Sequence, residues 1–147
     1  MDANPWNSLG IDLKLHLGVV DVPEPEGNTS YGVAMILEEK YQLFSNFAQS
    51  HEQDIANNLA ESLTGALETL MQGGKVVDPF AAGTSQIDQE FRTFLDTEEM
   101  AKLGVAGVPT KAALRGKSIR FKRKVGARRP SFIDSGVLQK SFTSWVS

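Results

Sequence analysis

The side chains that most often carry chemistry are scarce in this chain. It has two histidines, His16 and His51, and no cysteine, which excludes disulfides, thiolate metal sites and cysteine nucleophiles and leaves the redox compartment undefined. Glu52 follows His51, but no second histidine completes the helical zinc pattern His-Glu-x-x-His. Acids gather at Asp88, Glu90, Asp96, Glu98 and Glu99. General acid–base work needs two of them to converge on a cleft, and their spacing reads more simply as a solvated face or as helix-end charges complementing the dipole. The glycine pairs at 73–74 and 104–107 have no lysine or serine in the frame of a phosphate loop or a nucleophile elbow. This inventory predicts a non-enzymatic protein with no catalytic residues, no metal and no cofactor.

Charge is the stronger signal. Seventeen acids and five bases fall in residues 1–102, a balance of −12, whereas residues 103–147 hold one acid and ten bases, a balance of +9. Between Lys111 and Arg129 there are nine bases and no acid. Such density repels itself and calls for negative charge to meet it, on the same protein, on a neighbouring subunit or on nucleic acid. One reading folds the basic segment back over the acidic helices. The other is a head-to-tail contact in which the basic face of one subunit meets the acidic face of the next. Within the run, Ile119 and Phe121 alternate with bases, which predicts an extended arm with an apolar side.

These residues need a scaffold. Apolar and polar residues alternate from Ile11 to Leu17, the period of a half-buried strand, and a strand is expected over 10–20 with His16 on its polar face. Two prolines and a glycine make 22–28 a loop. Val33, Ile36, Leu37, Tyr41, Phe44 and Phe47 recur at helical spacing and predict one helix with an aromatic core stripe. Ser50 and Gln53 have capping-box spacing, ahead of a second helix carrying Ile55, Leu59, Leu63, Leu67 and Leu70 and stopping before Gly73. A further helix is expected from Thr84 or Ser85 with Ile87, Phe91, Phe94 and Leu95. Asp96 and Glu99 then cap a brief turn over 97–103 ended by Gly104. Residues 107–116 (GVPTKAALRG) read as a proline-led helical turn closed by glycine. At the end, Phe132, Ile133, Val137, Leu138, Phe142, Trp145 and Val146 must pack on the domain or a partner, through a turn at 134–136, a short helical step and a final strand.

The fold class is therefore α+β, a small sheet packed against two main helices with an extended basic arm and a C-terminal strand. Residues 1–147 form one domain, with an acidic strand-helix-helix core at 1–110, the basic arm at 111–130 and a docking segment at 131–147. The opening MDANPWNSLG lacks the basic start and apolar run of a signal peptide, and no stretch reaches the roughly 18 apolar residues of a membrane span. A soluble chain made in a cytoplasm, with no membrane partner, is expected.

Residues 132–145 (FIDSGVLQKSFTSW) resemble a motif near the end of tail-completion and tail-terminator proteins of long-tailed bacteriophages, matched at Asp134, Ser135, Gly136, Leu138 and Ser141. The stretch from GVPTKAALRG through RRPSFIDSG is also similar to structural proteins of tailed phages. This resemblance covers the last third of the chain. It implies a head–tail connector or neck protein, a virion component made in the host cytoplasm, forming a homo-oligomeric ring, hexameric by expectation, that meets other phage tail or neck proteins. The expected assembly contacts are Arg115, Lys117, Arg120, Phe121, Lys122, Arg123, Lys124, Arg128, Arg129, Phe132, Asp134, Gly136 and Trp145. The alternatives are a nucleic-acid-binding module using the same arm and a baseplate or sheath-associated tail component.

Overall fold

The computed structural model describes residues 13–23, 27–116, 126–133 and 136–147. Strand β1, Leu15–Val19, falls inside the expected span, and its partner is the last element of the chain, strand β2, Phe142–Val146. They pair antiparallel with Leu15 opposite Val146, Leu17 opposite Ser144 and Val19 opposite Phe142. Lys14 and Ser147 extend the ladder by exchanging two backbone bonds of 2.9 Å each, and the Val20 N–H donates to Ser141 O at 2.7 Å. Within β1 the alternation through Leu15, His16 and Leu17 splits the sheet into two faces. Leu15, Leu17 and Val19 turn inward with Phe142 and Ser144. His16 and Trp145 turn outward.

Between the strands lie seven helices among the described residues: α1 Ser30–Tyr41, α2 Leu43–Ser50, α3 Glu52–Met71, α4 Ala81–Asp96, α5 Glu99–Lys102, α6 Lys111–Leu114 and α7 Val137–Ser141. The fold class is α+β as expected, with the two long helices α3 and α4 packed together and the sheet seated on α4.

The single helix expected from Val33 to Phe47 is two helices. Gln42 takes the left-handed conformation (φ 52°, ψ 48°) and breaks it. Glu38 makes the break tolerable: its carboxylate accepts the backbone N–H groups of Phe44 at 2.8 Å and Ser45 at 3.3 Å and the Ser45 hydroxyl, supplying the orphan donors of the α2 N-terminus. The Asn46 amide donates to the Tyr41 and Gln42 carbonyls at 3.1 and 2.9 Å, serving the end of α1. The break divides the stripe, so that Phe47 is fully buried while Ile36 is 59% exposed.

Other boundaries move for similar reasons. Ser50 does not cap α3; its hydroxyl donates to Asn46 O and Phe47 O in the last turn of α2, and His51 stands at the α3 N-cap without a side-chain capping bond to the helix. Helix α4 starts at Ala81 rather than Thr84, behind an Asp78 carboxylate that accepts the Phe80 N–H at 2.9 Å. Asp96 likewise does not cap α5, whose N-cap is Glu98 in the left-handed region (φ 53°). Thr29 and Thr110 are side-chain caps, accepting the Gly32 and Ala113 N–H groups, each at 3.1 Å.

The core is an aromatic block where α2, α4 and β2 meet. Phe91 stacks on Phe142 with ring centroids 3.8 Å apart, and Phe47 sets its edge against Phe91 and Phe94 at 5.2 and 5.4 Å. Leu43, Phe47, Ile87, Phe91 and Phe94 are fully buried, each contributing about 1.5–3 kcal/mol through removal from water. No helix among the described residues is long and apolar enough to cross a membrane.

Candidate functional site

Arg115, Arg128 and Arg129 mark the base of the basic segment, and the backbone joins its two sides. The Gly126 N–H donates to Arg115 O at 3.0 Å, and the Arg129 N–H to Ala113 O at 3.1 Å. Gly116 sits in this neck at φ 58°, where an added Cβ would lie 2.2 Å from Ala127 O. A side chain at 116 would force the two segments of the neck apart. Lys117, Arg120, Phe121, Lys122, Arg123 and Lys124, and also Asp134, lie outside the described residues.

The C-terminal side of the neck is tied to the domain. Arg128 Nη2 meets Glu98 Oε2 at 2.8 Å, and Arg129 Nη1 donates to Ile133 O at 2.9 Å and Pro130 O at 3.4 Å. Phe132 (φ 69°) packs edge-on against Tyr41, with centroids 5.0 Å apart. These three candidate contacts are thus engaged within their own chain, and for Arg128 the basic segment does fold back onto an acidic element. Arg115 is exposed. Gly136, at φ 77°, is the N-cap of α7, where its freedom from a Cβ admits a left-handed turn.

The five acids read as a solvated face do more than that. Asp88 accepts the Ser144 hydroxyl at 2.7 Å, Glu90 the Asn58 amide at 2.8 Å and Asp96 the Gln139 amide at 2.9 Å. Glu98 holds Arg128, and Glu99 holds His51 Nε2 at 2.9 Å. Each binds a residue from another element, so their spacing along α4 and α5 serves to fasten β2, α3, α7 and the neck around that helix pair. His51 lies against Phe47 and Phe94, and with Glu99 it clamps α5 to the α2–α3 junction. No group of three or more metal-ligating side chains forms among the described residues.

Trp145 is the aromatic candidate residue that faces outward. It is 47% exposed, stacks on His16 at 5.2 Å and 11°, and covers Gly18, where a Cβ would sit 3.1 Å from its ring. It borders a groove of about 400 Å³ lined by Leu17, Gly18 and Val19 of β1, by Tyr31, Ala34, Met35 and Glu38 of α1, and by Phe44. Sequence reasoning missed this groove. Its signal was the second set of helical spacings in α1, residues 31, 34, 35 and 38, offset from the stripe that starts at Val33. A second apolar groove of about 300 Å³ lies between Leu13, ahead of β1, with Leu15 and Val146 of the sheet and Ala56, Leu59, Ala60 and Leu63 of α3.

Neither a protein-family model, nor a curated protein, nor a solved structure matches the chain.

Proposed function

We propose that this chain is a non-enzymatic assembly subunit that joins copies of itself head to tail through a basic arm and an acidic face, as a ring component in the neck or tail of a long-tailed phage particle. The observation that carries the reading is the division of charge, −12 over residues 1–102 and +9 over residues 103–147. A closed ring needs two different complementary surfaces on each subunit, and this division supplies them while opposing like-to-like pairing. The neck at Arg115–Gly126 and Ala113–Arg129 supports it, because it holds both ends of the acid-free run at one place on the domain. Exposed ion pairs contribute about 0–1 kcal/mol each, so charge sets partner and register while apolar contacts supply affinity.

Quantitative mass spectrometry and imaging of purified particles from the source test the proposal. Presence at a fixed, small, ring-like copy number supports it, and absence from particles overturns it. The acid-free run also favours a second reading, a module that neutralises nucleic-acid phosphates. Binding to DNA or RNA that collapses between about 50 and 200 mM salt is the signature of that activity, whereas a ring with apolar anchors holds together across this range.

A further inference from the structure

We propose that the groove between β1 and α1 receives the segment Ser118–Lys122 of a second copy, added as an extra strand on the free edge of β1. The inference rests on the reading of the chain as self-assembling and names the surface that accepts the arm. In the antiparallel ladder, Lys14 and Val20 bond across to Ser147 and Ser141. With alternation, the even-numbered residues of β1 face β2, and the N–H and C=O groups of Leu15, Leu17 and Val19 point the other way. Among the described residues no backbone group pairs with them. An unpaired edge of this kind is a template for another strand.

The edge is not bare backbone. Beyond it, Tyr31 and Met35 of α1 are 56% and 55% exposed, and with Leu17, Val19, Ala34 and Phe44 they make an apolar trough beside the strand. Glu38 lines the trough and, among the described residues, no base does, and Asp21, which accepts the Tyr31 N–H, stands at its other end. A fitting occupant alternates apolar residues with cations. Ser118, Ile119, Arg120, Phe121 and Lys122 have that pattern: Ile119 and Phe121 would enter the trough, and Arg120 would lie on the outer face over the exposed Trp145 ring, a cation–π arrangement. Gly18 suits this site, since a side chain there would displace Trp145 from its seat.

The absence of native cysteine makes disulfide trapping a clean test. The full-length Met35→Cys and Phe121→Cys chains are mixed and oxidised, with Val77→Cys, fully exposed and remote from the trough, replacing Met35→Cys as the control. The proposal expects a disulfide-linked heterodimer from the first mixture, none from the control, and loss of the product when Tyr31→Lys, which places a cation against the basic segment, is added to the Met35→Cys chain. If one chain carrying both cysteines closes on itself while the mixture gives no dimer, the segment lies on its own groove and the proposal is overturned. If sedimentation shows self-association that is lost on deleting Lys117–Lys124, yet no Met35–Phe121 link forms, the arm binds elsewhere: the groove assignment fails and the assembly reading stands. A chain that never self-associates, in solution or in particles, removes both.

Discussion

Helices α3 and α4 carry the same kind of apolar periodicity and meet opposite fates. In α4, Ile87, Phe91 and Phe94 are fully buried and Leu95 is 2% exposed. In α3, Ile55 is 8% exposed, but Leu67, Leu70 and Met71 reach 56%, 53% and 79%. The cause is where the partner begins. The chain returns from α3 to α4 beside Ser62, whose hydroxyl donates to Pro79 O at 2.9 Å, and Gly83 lies against Asn58 O. Helix α4 therefore accompanies the first half of α3, and the second half runs on past it. A 3.6-residue period identifies an apolar face, and the neighbouring elements decide whether that face becomes core.

The widest separation between the two regions should appear on truncation. Phe91→Ala removes a ring that touches Phe44, Phe47, Phe94 and Phe142 and is expected to cost about 3–5 kcal/mol. Leu67→Ala should change stability by no more than about 0.5 kcal/mol. Urea denaturation of both variants measures the difference, and equal costs would mean that the far half of α3 is covered after all.

This contrast shows what the sequence could reveal. Ile87, Phe91, Phe94 and Leu95 identify α4 because helix and burial coincide there, and the alternation before Leu17 identifies β1 for the same reason. The leucines from Leu59 to Leu70 locate α3 but not the point where its cover ends, since that depends on the path of the 72–80 connection. The break at Gln42 had no glycine or proline to announce it; it depends on Glu38 and Asn46 meeting backbone groups across the joint. The candidate contacts divide in the same way. Sequence alone marks Arg128 and Trp145 as notable, and only the fold shows that Arg128 is committed to Glu98 while Trp145 borders an open groove. Tyr31 and Met35 passed unnoticed because α1 has two apolar faces and the aromatic one drew the assignment.

Two glycines sharpen the comparison through effects of opposite sign. At Gly83 in α4, a Cβ would stand 2.8 Å from Asn58 O and 3.1 Å from Ser62 Cβ, contacts with backbone and a fixed side chain. Gly83→Ala is expected to be destabilising, since prising the α3–α4 contact apart costs about 1–3 kcal/mol against a gain in helix propensity of about 1 kcal/mol. Gly65 in α3 has no atom of the described residues within 4 Å of its Cβ position, so Gly65→Ala should keep that gain of about 1 kcal/mol. Thermal unfolding of the pair reads both signs, and stabilisation by Gly83→Ala would show that the two helices can separate at little cost.

A smaller effect than at Phe91 is expected at the neck, where burial gives way to charge. Arg128 and Glu98 are 2.8 Å apart with side chains 56% and 20% exposed, so water and salt screen much of their attraction, and Arg128→Ala should cost about 0–1 kcal/mol, shrinking as salt is raised. Glu98 pulls the value toward the top of that range, because its Oε1 is buried without a hydrogen-bond partner among the described residues and losing Arg128 leaves the carboxylate less compensated. Denaturation at low and high ionic strength separates these contributions. A cost that fades with salt makes the tie a surface pairing that an assembling neighbour can exchange, whereas a salt-independent cost above about 3 kcal/mol gives it the energetics of a buried ion pair and removes Arg128 from the residues free to change partners.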